Sequence, residues 1–225
     1  VKGTALYTIT FTPPTAPLTA VSGTQLLTNM TNAGIPDSAM MNDLQTVGNA
    51  QVSTSVKKYG TGSLSFDGIN SYLAIADKAP LTLGGDFTIE FWFNQTSSGI
   101  QGFLQHRNGA SWSTGDFQIQ DSSTKVQFNT PAGTLTTGTY STGVWNHYAL
   151  VRSGSTITAY LNGVSQGTLS SSVTYTGNGG VMRVGELYDG TNYYFNGYID
   201  DLRITNGYAR YTANFTPPTA ALPTY

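Results

Sequence analysis

The chain has 225 residues, of which 10% are charged and none is cysteine. Its formal net charge is -2, and apart from Lys57-Lys58 its Lys and Arg residues are scattered singly, so no basic stripe is present to follow a phosphate backbone. No apolar run reaches the roughly 18 residues that a membrane-spanning helix needs. These features argue against nucleic acid and against membrane insertion, and the lack of cysteine excludes disulfides and thiolate metal sites.

The two ends of the chain carry the same segment. Residues 1–18 match residues 205–222, with Tyr7 aligned with Tyr211 at an offset of 204 residues. A repeat of this length is a whole domain, so we expect one period of a tandem array that opens with the tail of a preceding unit. The alternative is a single closed domain whose two ends use similar edge segments. The predicted boundaries are a strand and Pro-rich linker over 1–22, one domain over 23–206, and a strand end and Pro-rich linker over 207–225.

Only one segment of the chain could be helical. Pro36 can start a helix, so we expect one short turn within residues 36–44. Elsewhere, apolar and polar residues alternate with the period of two that is typical of strands with one buried face. Residues 87–93, for example, place Glu90 and Trp92 on the face opposite their Phe residues. The pattern predicts strands for nearly the whole domain.

Two later segments extend this pattern. Residues 145–152 alternate in the same way and would turn His147 inward with its apolar neighbours. Asn162-Gly163 supplies the two positive φ values of a tight turn, which predicts a hairpin over 157–168. Because strands and turns follow one another without intervening helices, the sequence favours an all-β, two-sheet antiparallel sandwich.

Three segments together resemble a known family. They are GTGSLSFDG at 60–68, FTIEFW at 87–92 and GYIDDLRI at 197–204. They are similar to the LamG-like jelly-roll domain of the concanavalin A-like lectin/glucanase superfamily, and the resemblance covers residues 50–206. It implies a two-sheet antiparallel jelly roll.

The resemblance also implies a setting for the chain. Residues 24–54 and the Phe-Thr-Pro-Pro linkers are similar to LamG-like repeats of the tandem type seen in phage structural and tail-fibre-like proteins. We therefore expect a virion or extracellular location. The superfamily includes lectins, adhesion modules, spacers and glycosidases, so the fold alone leaves the function open.

Candidate catalytic groups are few. Glycosidases of this fold use a close pair of carboxylates, and the chain has only two Glu, Glu90 and Glu186, in separate predicted strands. We therefore predict no enzymatic activity, with a glycosidase built on these two residues as an alternative. Of the two histidines, His147 is predicted to be a core residue. His106 lies at a predicted strand end, so we expect it to be the more exposed of the two and able to contact a ligand.

Calcium is a candidate cofactor. Several relatives bind calcium near the loop that corresponds to residues 67–70, and calcium takes carboxylate, amide and carbonyl oxygens. The resemblance places Asp200 in the same sheet as the strand before this loop, so Asp67, Asn70 and Asp200 are the predicted ligands. The alternative is that Asp67 caps a tight turn while Asp200 accepts backbone hydrogen bonds.

Two loops combine aromatic rings with polar side chains, as sugar binding requires. One holds Trp112 between polar residues, and the other spans 187–194. The alternative is that these aromatic residues pack across strands or form contacts between repeats. The predicted carbohydrate-binding residues are Trp112, Tyr188, Asp189, Asn192, Tyr193 and His106.

Two main hypotheses follow for the function. The first is a non-enzymatic carbohydrate-binding or adhesion module of a virion or extracellular fibre, with glycans of a host cell surface as partner. The second is a purely structural repeat that builds a fibre or decorates a capsid through contacts with neighbouring copies of itself or similar repeats.

Overall fold

The computed structural model describes residues 43–76, 81–188 and 192–222. These residues belong to one unit, 35–225. The predicted linker over 1–22 lies outside the described residues, as does nearly all of the predicted turn over 36–44. Asp189 also lies outside them, and so do the side chains of Tyr188 and Asn192.

The described residues form antiparallel strands and include a short 3-10 turn at Gly177–Gly179. None of their helices is long and apolar enough to cross a membrane. In chain order the strands are β1 (Leu44–Val47), β2 (Gln51–Ser53), β3 (Ser63–Asp67), β4 (Tyr72–Ile75), β5 (Phe87–Gln95), β6 (Gln101–His106), β7 (Phe117–Asp121), β8 (Lys125–Thr130), β9 (Gly133–Thr139), β10 (Asn146–Ser153), β11 (Thr156–Leu161), β12 (Val164–Ser170), β13 (Met182–Val184), β14 (Glu186–Tyr188), β15 (Asn192–Tyr194) and β16 (Asn196–Asn206).

Two seven-stranded sheets make up the sandwich. The first sheet has the order β1-β4-β13-β6-β7-β8-β9, and the second has the order β12-β11-β10-β5-β16-β3-β2. Strands β14 and β15 form a separate two-stranded sheet. Strands distant in sequence are neighbours in both sheets, which is the crossover pattern of a jelly roll. The prediction of a two-sheet antiparallel sandwich is confirmed.

The core lies between the two sheets and is rich in aromatic rings. Phe91 and Phe93 of β5 point inward, as the alternation predicts, and meet Phe103 of the first sheet at centroid distances of 5.5 and 4.8 Å. All three rings are almost completely buried. Because burial of one such side chain contributes about 1.5–3 kcal/mol, this contact between the sheets explains how a chain without cysteine stabilises its fold.

The position of His147 corrects one prediction. The side chain is buried, as expected, but it does not lie in the core between the sheets. It sits on the outer face of the second sheet, where its ring contacts Trp92 at 5.0 Å and Phe215 at 5.8 Å. Phe215 comes from the C-terminal residues, which cover this outer face.

Candidate functional site

The outer face of the first sheet carries a row of polar side chains. Strand register aligns Arg183, Gln105, Gln118, Asn129 and Thr134 from β13 across to β9. Apolar neighbours along these strands, among them Leu104, Phe117 and Phe128, belong to the core between the sheets. Since successive side chains of a strand point to opposite faces, the row lies on the face away from the core.

A second row, formed by Gln120, Gln127 and Thr136, runs beside the first. The Gln118 amide donates to Gln120 Oε1 at 2.6 Å, and the Gln120 amide donates to Gln127 Oε1 at 3.0 Å. Each of these amides can donate twice and accept twice, so the chain of bonds orients the side chains and keeps capacity for a ligand. We call the surface formed by these side chains the amide face: Gln118, Gln120, Gln127 and Asn129. Gln120, Gln127 and Asn129 are partly exposed, whereas Gln118 and the neighbouring Gln105 are buried beneath them.

An exposed tryptophan stands at one end of the amide face. The Trp112 ring is 41% exposed, and the guanidinium carbon of Arg107 lies 4.2 Å from its centroid. Arg107 is itself buried, and its Nη1 donates to Gln118 Oε1 at 3.2 Å. The indole is therefore joined through one arginine to the chain of amides. A cation over an aromatic ring contributes about 0.5–2 kcal/mol, which helps to hold the ring in place.

Hydrogen bonds hold the loop that carries Trp112 in place. Asp116 accepts a hydrogen bond from the Ser113 N–H at 2.7 Å and another from the Asn178 amide at 2.7 Å. The Asn108 amide donates to the Asn178 carbonyl oxygen at 3.1 Å. These bonds tie the loop to the short turn at Gly177–Gly179. The loop therefore presents Trp112 from a fixed position.

His106 does not belong to this exposed surface, and the prediction that it is the more exposed histidine is wrong. Its side chain has no exposed area. Strand register places it on the core face between Met182 and Phe117, and the turn at Gly177 packs against its ring. A position at a strand end was the reason to expect exposure, but the neighbouring strands decide which way the side chain turns.

Strands β14 and β15 border the amide face at its other end. A Cβ atom on Gly102 of β6 would overlap the backbone of β14, so β14 crosses directly over the start of β6. On β15, Tyr193 is partly buried, and Tyr194 stacks on Tyr72 at 6.4 Å. The five residue steps from Gly102 to Arg107 span roughly 16 Å, which gives the length of the surface between β14 and the Trp112 loop.

An ion pair fixes β14 to the first sheet. Arg183 Nε lies 3.1 Å from Glu186 Oε2, and its guanidinium lies 6.0 Å from the Tyr72 ring. Burial raises the pKa of Glu186, and the neighbouring Arg183 opposes that rise. The ion pair, together with the stacked tyrosines, gives this end of the amide face a rigid border.

The two glutamates of the alternative catalytic hypothesis are not brought together. Glu90 lies on the outer face of the second sheet, whereas Glu186 lies over the outer face of the first. Stacked sheets are about 10 Å apart, so carboxylates beyond both outer faces are farther apart than the roughly 5–9.5 Å of glycosidase pairs. Glu90 is instead bonded to Arg203 and Tyr211.

The predicted calcium ligands fall into two places. Asp67 Oδ1 accepts hydrogen bonds from the N–H groups of Ile69 and Asn70 at 2.9 and 3.2 Å and from the Ser71 hydroxyl at 2.7 Å. Burial alone would raise the pKa of Asp67, but hydrogen bonds, that from Ser71 first, outweigh it and the pKa is lowered. The carboxylate therefore caps its own turn, and donors already occupy the oxygens that a cation would need.

Asp200 lies elsewhere on the same pair of strands. Asp67 is opposite Asn196 in the register, and Asp200 is four residues farther along β16, or about 13 Å. It accepts hydrogen bonds from the N–H groups of Lys58 and Tyr59 at 2.7 and 3.1 Å. Among the described residues, no group of three His, Asp or Glu side chains is arranged around a common point. Calcium binding stays a prediction for Asp67 and Asn70 alone.

Sequence reasoning missed the amide face, although its signal was present. In the segments FQIQD at 117–121 and KVQFNT at 125–130, amide residues alternate with apolar ones. Alternation showed which side chains face the core, and the opposite side was treated as ordinary solvent-exposed surface. The chemical type of the outward residues, four amides on two adjacent strands, was the feature that distinguished this face.

The fold and the amide face together define a lectin-like β-sandwich domain. Residues 67–210 match the model of the concanavalin A-like lectin/glucanases superfamily, and the chain belongs to that superfamily. Among curated protein sequences, none matches the chain significantly.

Several solved structures share the fold at low sequence identity. Domain 4 of AbnA, a GH43 extracellular arabinanase from Geobacillus stearothermophilus solved with arabinotriose, is 18% identical, with a TM-score of 0.56 over 75% of this chain and 83% of that one. The cellulose-induced protein Cip1 is 16% identical, with a TM-score of 0.51 over 73% and 90%. The binding domain of botulinum neurotoxin serotype D is 9% identical, with a TM-score of 0.50 over 73% and 43%. At these identities the likeness concerns the fold alone.

Proposed function

We propose that the domain is a non-catalytic glycan-binding module and that a glycan lies along the amide face, between Trp112 and strands β14 and β15. The observation that carries the proposal is the exposed Trp112 ring, held by Arg107 on the same hydrogen-bonded chain as Gln118. An apolar ring and a row of oriented amides on one surface match the two sides of a sugar.

The chemistry of the surface supports this ligand class. A pyranose or furanose presents C–H groups that pack on an aromatic ring and hydroxyls that both donate and accept hydrogen bonds, as amides do. The amides are neutral, which suits hydroxyls better than charged groups. Because the side chains are already held in place, less conformational entropy is lost on binding.

The setting belongs to the same proposal. We infer a virion or extracellular fibre that attaches to glycans of a host cell surface, on the strength of the matching segments at the two ends of the chain. The alternative of a purely structural repeat is favoured by the same match, because repeated segments also suit assembly. Calcium at Asp67 and Asn70 is a separate proposal, and calcium titration calorimetry with Asp67→Asn as control tests it.

A glycan array followed by titration calorimetry tests the proposed function. Arabinotriose, the ligand named for the arabinanase domain, is one defined probe for the array. We expect Trp112→Ala to lower the affinity for the array's best glycan at least about fivefold, since stacking on an aromatic side chain contributes more than about 1 kcal/mol.

The matched control is Tyr208→Ala, which removes another exposed aromatic ring, 60% exposed, from the C-terminal residues beyond the second sheet. It should leave the affinity unchanged. An array without signal would overturn the glycan-binding proposal. A signal that Trp112→Ala and Gln127→Ala both leave intact would place the site away from the amide face.

A further inference from the structure

The second face of the sandwich is closed by the chain's own C-terminal residues. Residues 207–222, here called the C-terminal strap, run across the outer face of the second sheet. This cover removes an apolar patch of the sheet from solvent. The patch consists of Ala149, Val151 and Tyr160, and the strap residues packed against it are Ala209, Tyr211 and Phe215.

Two aromatic side chains dock the strap. The Tyr211 and Phe215 rings stack at a centroid distance of 3.6 Å with 4° between their planes. The Tyr211 hydroxyl donates to Glu90 Oε2 at 2.8 Å, and the Phe215 N–H donates to the Gly163 carbonyl oxygen at 2.9 Å. A Cβ atom on Gly163 would overlap the Phe215 carbonyl oxygen, so this turn residue must be glycine for the strap to dock.

Backbone groups anchor the rest of the strap. The Tyr59 hydroxyl donates to the Pro218 carbonyl oxygen at 2.8 Å, and the Leu222 N–H donates to Asp201 Oδ2 at 3.0 Å. The strap supplies only main-chain atoms to these bonds. They therefore depend on the path of the strap and tolerate changes in its side chains.

The N-terminal segment repeats the docking residues of the strap. Residues 1–18 and 205–222 are identical at 11 of 18 aligned positions. The identical positions include every strap side chain that packs on the apolar patch. Ala5, Tyr7 and Phe11 stand where Ala209, Tyr211 and Phe215 stand in the strap.

The contacting residues that differ lie at the edge of the interface. Leu6 replaces Arg210, whose side chain is 32% exposed and whose Nε lies 3.8 Å from Glu90. Thr10 replaces Asn214, whose Oδ1 accepts one exposed backbone hydrogen bond. Glu90 keeps its ion pair with Arg203 when Arg210 is replaced, and the Asn214 hydrogen bond is exposed. The repeat thus keeps the buried part of the interface and varies its rim.

We propose that residues 3–18 are a second strap, which docks on the face around Glu90 in another domain of this fold. The domain's own face is already filled, because Glu90 and Gly163 accept hydrogen bonds from the C-terminal strap. The partner is therefore a neighbouring domain that carries the same apolar patch and the same turn glycine. This inference does not depend on glycan binding.

The first test exchanges the two segments within the full chain. In this graft, residues 207–222 take the sequence of residues 3–18. We expect its Tm to lie within about 5 °C of the wild-type value, because only rim contacts change. Two controls, wild type and graft each carrying Tyr211→Ala and Phe215→Ala, should lose on the order of 10 °C. A graft that melts as low as its own control, or that fails to fold, overturns the proposal.

The second test asks whether the grafted segment docks in the same place. Gly163→Ala blocks docking, and it also strains a turn residue with φ of 78°. The strain alone is measured in the variant that carries Tyr211→Ala and Phe215→Ala. We expect Gly163→Ala to lower the Tm of the graft and of the wild type by the same amount. This decrease should be larger than the one that Gly163→Ala causes in the protein carrying Tyr211→Ala and Phe215→Ala. A loss in the graft no larger than the strain alone overturns the proposal. Neither test measures glycan binding, so the two proposals fail separately.

Discussion

Glu90→Gln perturbs the buried network beneath the C-terminal strap. The Glu90 side chain has no exposed area and accepts hydrogen bonds from Arg203 and Tyr211, so the amide keeps the shape but removes the counter-charge of Arg203. Removing one partner of a buried ion pair costs about 3–5 kcal/mol. Because the Arg203 side chain is 22% exposed, water screens part of this loss. We expect about 3 kcal/mol, or a fall in Tm of roughly 6–12 °C.

The pH dependence of this loss follows from the lowered pKa of Glu90. Burial alone would raise the pKa, but hydrogen bonds from His147, Tyr211 and Arg203 outweigh it. A carboxyl whose pKa is lower in the folded protein stabilises the fold above its unfolded pKa, and this contribution is lost as the pH falls through the folded pKa. The difference in Tm between wild type and Glu90→Gln is therefore largest at neutral pH, and it becomes smaller as the pH falls below 4.5, the ordinary pKa of a glutamate side chain.

Glu186→Gln is the matched control, because Glu186 is also buried beside an arginine. Burial raises its pKa against the opposing effect of Arg183, so its ionisation favours the unfolded chain and its contribution to stability falls as the pH rises through the folded pKa. Glu186→Gln should gain stability relative to wild type as the pH rises. Thermal melts by circular dichroism from about pH 3 to about pH 8 follow both gaps. A Glu90→Gln protein with the wild-type Tm at neutral pH would refute the reasoning. So would differences in Tm from wild type that change with pH in the same direction for Glu90→Gln and Glu186→Gln.

Two further substitutions test local contacts. Gly102→Ala places a methyl group against the backbone of β14 and should cost about 1–3 kcal/mol of unfolding free energy by urea denaturation. Gly84→Ala, whose Cβ would only touch Thr174, is its control and should cost less than half as much. Asp67→Asn turns an acceptor of the Asn49 amide into a donor and should cost about 1–3 kcal/mol at neutral pH. Because the pKa of Asp67 is lowered, this gap must shrink in acid, and a constant gap would contradict the capping role.

The two faces of β5 show what could be predicted from the sequence. Alternation over 87–93 predicted that the Phe residues face the core and that Glu90 and Trp92 face away, because the period of a strand is a local property. What covers Glu90 is not local: Tyr211 reaches it from 121 residues away. The prediction that His106 is exposed failed for the same reason. Its burial depends on the register of neighbouring strands, which the sequence alone does not align.

The separation of Asp67 from Asp200 has a related cause. The resemblance placed both residues in the same sheet, and the structure does pair their strands. Adjacency of strands fixes which backbones meet, but the distance between two side chains also depends on register. A shift of four residues along β16 separates these carboxylates by about 13 Å and gives each its own set of backbone donors.

The placement of the two proposed surfaces on opposite sides of the sandwich has a consequence for a tandem protein. The strap closes the second sheet, so docking of residues 3–18 on a neighbouring domain would leave the amide face of each domain free. A single amide face is about 16 Å long and only Gln120, Gln127 and Asn129 of its amides are partly exposed, which suits modest affinity. Linked copies that engage one glycan-coated surface can exceed the affinity of a single copy by about 10²–10⁴ without any new contact. If both proposals hold, a tandem of two domains should bind a glycan-coated surface far more tightly than free glycan, and substituting Trp112 in one copy should remove most of that gain.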